Sequence, residues 1–145
     1  MAIVHYPGEV KNFKMKAAEG LDREGLIVKV DNSTPTDPRM TKVASSGDVI
    51  FGIGFADTYG QDGVLDTGGQ CSVVQEGEVN VAVEAATYQV GDAIYLATTD
   101  GTGVNSTAFD NTLVGICQEY KVVSGAMVTA KTNQVRVKLS FTAGV

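Results

Sequence analysis

The residues that most suggest chemistry are Gly52 and Gly54, which form a Gly-x-Gly pair inside the apolar run VIFGIGF. A glycine-rich loop can cradle a nucleotide phosphate when a third glycine follows three residues on and opens a helix. Position 57 is Asp57, and the residues after it read as a turn, so both conditions fail. We therefore interpret the pair as strand glycines, at which the backbone packs closely or bulges.

Residues that usually perform catalysis or bind metals are sparse. The single histidine, His5, lies near the N-terminus, and no G-x-S-x-G elbow is present. Cys71 and Cys117 lie in apolar segments without CxxC spacing, which favours two buried, reduced thiols over a metal site or a disulfide. The acidic residues form no calcium loop, and none adjoins an aromatic platform for sugars. The sequence therefore predicts neither an enzyme nor a cofactor.

Charge is unevenly distributed along the chain, and this separates classes of partner. Residues 43–120 hold eleven acidic residues and no Lys or Arg, whereas residues 121–145 hold four basic residues and no acidic one. Nucleic-acid binding needs clustered basic residues and is not expected. The acidic residues are interpreted as a solvated surface, and an acidic outer face opposite a basic attachment side is the alternative.

Hydropathy predicts neither a membrane protein nor an exported one. No apolar stretch approaches the ~20 residues that span a bilayer. The N-terminus has an apolar run of only three residues, 2–4, and lacks the charged start and the cleavage site of a secretory signal.

The elements that would position any site are predicted to be β-strands. Short apolar or alternating runs recur along the chain, separated by turns that use many of its 17 glycines. The clearest run is 135–141, where apolar and polar residues alternate as in a half-buried strand. This pattern predicts an all-β fold, a small single-domain barrel or sandwich.

The first 24 residues differ from the rest of the chain. They carry several lysines and little β pattern, so residues 1–24 are predicted to be an extended N-terminal arm and residues 25–145 the β-rich domain. The apolar residues within 9–21 roughly follow helical spacing, so at most one short helix is expected there.

Two short stretches of the sequence recur. GDVIF at 47–51 returns as GDAIY at 91–95, and FGIG at 51–54 is echoed by VGIC at 114–117. These echoes fit either two similar hairpins in one barrel or independent reuse of the same turn chemistry. They are too short to establish a duplication.

The order of elements resembles the capsid decoration, or cement, proteins of tailed bacteriophages. The resemblance covers roughly residues 25–141 and ends in a closing alternating strand. The segments that precede this strand are, in chain order, GLIVKV, SSGDVIFGIG, GGQCSVVQEGEVNVAV, YQVGDAIYLATTDG and TLVGICQEY. The matching residues are mostly glycine, aspartate or apolar strand residues: Gly47, Asp48, Gly52, Ile53, Gly77, Val79, Val81, Gly91, Asp92, Ile94, Tyr95, Gly115 and Ile116.

The resemblance implies a β-tulip-like fold and a head-stabilising role on the outer surface of a virion, after synthesis in the host cytoplasm. Such proteins bridge subunits of the major capsid protein, often as homotrimers, without contacting nucleic acid. We expect the N-terminal arm to bind the capsid, by adding a strand to the edge of a capsid sheet. The candidate contact residues are Ile3, Val4, His5, Tyr6, Lys11, Phe13, Lys14 and Lys16.

The alternative function is a β-barrel binding or adhesion module that recognises a glycan or another small ligand. Such a module would cluster aromatic side chains on exposed loops. The candidates for that cluster are Tyr59, Tyr88 and Tyr120.

Overall fold

A computed structural model of the chain describes residues 13–17, 25–44, 48–56, 70–124 and 133–141. Within these residues the chain forms β-strands and no helix, which confirms the predicted all-β class. The strands are β1 (Phe13–Ala17), β2 (Leu26–Asp31), β3 (Arg39–Lys42), β4 (Gly52–Ala56), β5 (Gln70–Val74), β6 (Glu78–Ala82), β7 (Ala86–Tyr88), β8 (Ala93–Leu96), β9 (Gly103–Val104), β10 (Leu113–Cys117), β11 (Lys121–Val123) and β12 (Gln134–Leu139).

Strand β1 corrects the helix prediction. Residues 13–17 lie in the middle of the stretch with helical spacing, yet they form a strand that pairs antiparallel with β5 and parallel with β3. A short isolated helix is marginal in water, and pairing on both edges outweighs so weak a local preference. Because β1 precedes the boundary predicted between residues 24 and 25, the folded unit includes part of the predicted arm.

The first five strands form a closed barrel in the order β1–β3–β2–β4–β5. Alternation along the strands places Leu26, Val28, Met40 and Val73 on one face, and these side chains form a buried cluster. The opposite face of β2 carries Lys29, which is half-exposed. The same opposite face also carries Ile27, which is buried in the main core, and the cluster itself includes Ala82 of β6.

The remaining strands form a second sheet in the order β6–β12–β10–β8–β9 and a two-stranded ribbon, β7–β11. A parallel bridge between Val83 and Gly103 brings the two ends of the second sheet together. The main core contains Ile53 and Phe55 from the first barrel as well as Val137 from the second sheet. The two halves therefore share one core.

The two halves have the same topology. Each strand of the first barrel has a counterpart in the second half: β1 corresponds to β6, β2 to β8, β3 to β9, β4 to β10 and β5 to β12. Corresponding strands have equivalent neighbours and pair with them in the same direction. The parallel pairing of β1 with β3 corresponds to the parallel bridge at Val83. The described residues thus contain one five-stranded unit twice.

The register of the strands agrees as well as their order. Equivalent residues lie between 63 and 66 positions apart in the chain. Each cross-strand pair of the first half has an equivalent pair in the second half. Phe13–Val73 is equivalent to Val79–Val137, Ala17–Met40 to Val83–Gly103, Val28–Gly52 to Ile94–Gly115, and Gly54–Val73 to Cys117–Val137.

This correspondence decides between the two explanations of the sequence echoes. Gly52 of FGIG and Gly115 of VGIC occupy equivalent positions in β4 and β10. GDVIF, in contrast, leads into β4, whereas GDAIY runs into β8, whose counterpart is β2. The glycine echo therefore belongs to the repeat, and the Gly-Asp echo is independent reuse of one turn.

Gly52 and Gly115 are needed for the same close approach between strands. A Cβ atom on Gly52 would overlap Val73 Cγ1 and lie 2.7 Å from the carbonyl oxygen of Val74. A Cβ atom on Gly115 would lie 2.6 Å from Val137 Cγ1 and would overlap the carbonyl oxygen of Lys138. Backbone atoms cannot move aside at either site without shifting a strand.

Substitution of either glycine should therefore destabilise the fold. We expect Gly52→Ala and Gly115→Ala each to lower the free energy of unfolding by about 2 kcal/mol or more, as overpacking does. Gly91→Ala is the matched control, because a Cβ there meets nothing within 4 Å although φ is +94°. An alanine side chain at this positive φ is strained, and the strain should lower the free energy of unfolding by about 1 kcal/mol. Urea unfolding measures all three, and equal losses would contradict the packing argument.

Candidate functional site

The residues predicted to contact a capsid fall into two groups. Five lie outside the described residues: Ile3, Val4, His5, Tyr6 and Lys11. The other three lie in β1: Phe13, Lys14 and Lys16. In the register, Lys16 pairs with Gln70 of β5 on one side and with Arg39 of β3 on the other. Because both edges of β1 are paired, residues 13–17 cannot add a strand to another sheet.

The first Gly-Asp turn is held by its carboxylate. Asp48 accepts hydrogen bonds from the backbone N–H of Ala44 at 2.9 Å and from Lys29 Nζ at 2.8 Å. The bond to Lys29 ties the turn before β4 to the neighbouring strand β2. Asp48 therefore has a structural role.

The second Gly-Asp turn uses the same device with different partners. Asp92 accepts hydrogen bonds from the backbone N–H of Gln89 at 2.9 Å and from Asn105 Nδ2 at 3.1 Å. Nearby, Glu84 accepts hydrogen bonds from the backbone N–H of Thr99 at 3.1 Å and from its hydroxyl at 2.8 Å. These carboxylates stabilise turns, as expected for Asp and Glu that accept local hydrogen bonds.

The described residues offer little for catalysis or cofactor binding. Gly52 and Gly54 lie in β4, which continues to Ala56, so no helix N-terminus follows them as a phosphate site requires. In this part of the chain, no three His, Cys, Asp or Glu residues are grouped so as to hold a metal ion. Nor do the described residues include a helix long and apolar enough to cross a membrane.

The candidate contact surface is the end of the second half formed by the β7–β11 ribbon and the turn after β7. Its exposed apolar side chains are Val90, Tyr120 and Val122, which are 69%, 66% and 57% exposed. Val122 pairs with Thr87 of β7, and alternation places Tyr120 on the same face as Val122. A group of exposed apolar side chains often marks an interaction site.

Tyr88 anchors this ribbon to the core. It lies in β7, is fully buried, and donates a hydrogen bond from its hydroxyl to the carbonyl oxygen of Glu84 at 2.6 Å. Burial, with a further effect of the Glu84 charge, raises the pKa of Tyr88. Of the three tyrosines considered for ligand binding, Tyr88 is therefore a core residue, Tyr120 is exposed, and Tyr59 lies outside the described residues.

The raised pKa of Tyr88 gives the fold a sensitivity to alkali. The unfolded chain releases the Tyr88 proton near pH 10, whereas the folded chain retains it to higher pH. The stability that Tyr88 contributes is thus complete below about pH 10 and is lost as the pH rises further. We expect wild-type stability to fall more steeply than that of Tyr88→Phe between about pH 10 and about pH 12, and with an equal slope below about pH 9.

Urea unfolding across that pH range measures the difference. Tyr120→Phe is the matched control, since it removes an exposed hydroxyl next to the same ribbon and should keep the wild-type slope. Identical slopes for wild type and Tyr88→Phe would contradict this account of Tyr88.

Cys117 is a free, buried thiol in the main core, as predicted for it. Its Sγ–H donates to the carbonyl oxygen of Glu119 at 3.1 Å, and burial raises the pKa of the thiol. Burial therefore disfavours the reactive thiolate. For Cys71, whose side chain is not among the described groups, the reduced state stays a prediction.

Cys117 should therefore resist modification in the folded protein. In a Cys71→Ser background, we expect a thiol reagent at neutral pH to label Cys117 at least about 100-fold more slowly than in the urea-unfolded chain, since only opened molecules expose it. Labelling at comparable rates in both states would contradict its burial.

Sequence reasoning missed Val90 and Val122 as surface residues. Val122 lies in a short apolar run that also fits a buried strand, and no local pattern distinguishes the two cases. The available signal was the Gly-Asp turn beside Val90, because a turn places its flanking residues at the surface.

Comparison of the sequence with known protein families and with curated proteins finds no match. A functional assignment therefore depends on the sequence pattern and on the geometry described above.

Proposed function

We propose that this protein is a structural virion protein that binds the outer surface of a phage capsid and bridges subunits of the major capsid protein. The observation that supports this best is the nature of the residues that carry the sequence resemblance. Gly52 and Gly115 permit close strand packing, and Asp48 and Asp92 hold turns. The residues that carry the resemblance thus hold strands and turns in place, and none of them is a reactive group.

A rigid frame suits a protein that braces its partner. The first barrel is closed, and the two halves share one core, so neither half can shift without disturbing the other. Such a body transmits load between two attachment points.

The attachment segment in this proposal is shorter than the sequence suggested. Because β1 belongs to the barrel, strand addition to a capsid sheet falls to the residues before Phe13. Ile3, Val4 and Tyr6 would supply apolar contacts, and Lys11 and His5 polar ones. Copies repeated on a lattice, as homotrimers, would bind with avidity although each contact is small.

Deletion of residues 1–12 should abolish capsid binding and leave the barrel folded, because β1 is retained. The measurement is co-sedimentation with expanded, undecorated capsids, together with thermal unfolding of the variant alone. Val49→Ser is the control, since it changes an exposed apolar residue outside the segment and should bind like wild type.

The outcomes separate two questions. Undiminished binding after the deletion would show that the segment is not the attachment site. Failure of the full chain to bind any such capsid would overturn the proposed function. A longer deletion to residue 20 would be uninformative, because it also removes β1.

One observation favours the alternative of a ligand-binding module. Tyr120 is largely exposed beside Val122, and an exposed aromatic ring next to an apolar side chain can stack on a sugar. Specific glycan binding that Tyr120→Ala removes would support this alternative. With Tyr88 buried, however, the described residues provide only one of the three proposed aromatic groups.

A further inference from the structure

The β7–β11 ribbon has a buried inner face and an exposed outer face. Tyr88 and Val123 are buried on the inner face. Thr87 and Val122 pair across the ribbon and are both exposed, so they belong to the outer face. Tyr120 lies two residues before Val122, and alternation places its ring on this outer face as well. The ribbon therefore presents apolar side chains to solvent while the core holds its other side.

Hydrogen bonds at the margins fix the ribbon in place. Asn105 Nδ2 donates to the carbonyl oxygen of Thr87 at 2.9 Å. Lys121 Nζ donates to the carbonyl oxygen of Gln134 at 2.7 Å, which joins β11 to the start of β12. The outer face is thus preorganised, and a partner can bind it without the entropic cost of ordering a loop.

Exposed apolar side chains are concentrated at this end of the molecule. Of the five large apolar side chains that are exposed among the described residues, three belong to the candidate contact surface: Val90, Tyr120 and Val122. The other two, Val49 and Phe109, lie in separate loops. Single exposed apolar residues are ordinary on a protein surface, whereas a group of them often marks a contact. The candidate contact surface is therefore the place in the described structure that best fits a partner.

The charge available beside the outer face is negative. Glu119 precedes Tyr120, is half-buried, and its carboxylate makes no hydrogen bond or ion pair with any described residue. Burial is the main cause of the raised pKa of Cys117, and the charge of Glu119 adds to it, so this charge acts at the ribbon. Two basic side chains reach the base of the ribbon, Lys121 and Arg136, and both donate to backbone carbonyl oxygens. Glu119 is thus available to a cation on a partner.

We propose that the candidate contact surface is the second attachment site for the capsid, and that it binds a part of the major capsid protein where a Lys or Arg side chain adjoins apolar side chains. The cation lies against the ring of Tyr120, within the attraction of Glu119. The apolar side chains of the partner cover Val90 and Val122. This inference rests on the function proposed above and adds to it where the second contact lies and what it recognises.

The positions of the two sites in the fold suit a bridge. The segment before Phe13 enters the first barrel through β1, whereas the candidate contact surface belongs to the second half. Because the two halves share one core, a force applied at one site is passed to the other. The N-terminal segment by itself attaches the protein to a capsid, and a second contact is needed to brace two subunits.

The charge of the surface also disfavours two other occupants. A neutral sugar can stack on Tyr120 but gains nothing from Glu119. A second copy of the same surface would bring like charges together, which opposes association. A cationic and partly apolar protein surface satisfies both the ring and the carboxylate.

Paired substitutions at Val122 test the charge of the partner. Val122→Lys and Val122→Glu remove the same apolar contact and place opposite charges on the outer face. In co-sedimentation titrations with expanded, undecorated capsids, we expect Val122→Lys to bind at least about tenfold more weakly than Val122→Glu. The difference should shrink at 1 M salt, where the screening length falls to about 3 Å. Val49→Lys is the matched control, since Val49 and Val122 are both 57% exposed, and should bind like wild type.

The stability of decorated capsids tests the bracing role. We expect Tyr120→Ala to weaken binding at least about tenfold, as truncation of a buried interface tyrosine does. At concentrations that still saturate the capsid, this variant should lose most of the rise in capsid disruption temperature that wild type gives. Tyr120→Phe keeps the ring and should stabilise the capsid like wild type. Thermal unfolding of each variant alone verifies that the fold is intact.

The outcomes distinguish this inference from the proposed function. Equal binding by Val122→Lys and Val122→Glu, or full capsid stabilisation by Tyr120→Ala, would overturn the inference while wild type still binds capsids. Glycan binding that Tyr120→Ala removes, or self-association that Val122→Lys removes, would assign the surface to another occupant and would also overturn it. Failure of wild type to bind capsids would overturn both.

Discussion

The fold depends on the close approach of a strand glycine to a valine on the neighbouring strand. Gly52 meets Val73 in this way, and Gly115 meets Val137. At each site a side chain would separate two strands whose pairing holds a five-stranded sheet together. Gly52, one of the two glycines that first suggested a phosphate loop, is therefore structural, because it allows two strands to approach closely.

The two halves share a topology but differ in what their outer faces contact. In the first half, Ile53 is buried against the second sheet, whereas its counterpart Ile116 is only half-buried. Val74 is likewise replaced by the exposed Lys138. The apolar face on the first half is explained by its contact with the second half, and the polar replacements limit further stacking. One repeated frame thus supplies both a shared core and a soluble outer face.

Several acidic residues contribute to the geometry of turns. Asp48, Asp92 and Glu84 each accept backbone hydrogen bonds, so these three carboxylates hold connections between strands. The surface left for a partner is apolar, around Val90 and Tyr120. This division is consistent with the structural role proposed above.

The amino-acid pattern is enough to predict the β class, the Gly-Asp turns and the failure of the phosphate motif, because alternation and turn chemistry are local. Tertiary structure alone decided that residues 13–17 form a strand, since their partners Val73 and Arg39 lie far along the chain. It also decided which sequence echo marks the repeat, because equivalence is set by strand neighbours. The full burial of Ile53 and the half-burial of its counterpart Ile116 could not be predicted, since burial depends on how the two halves pack.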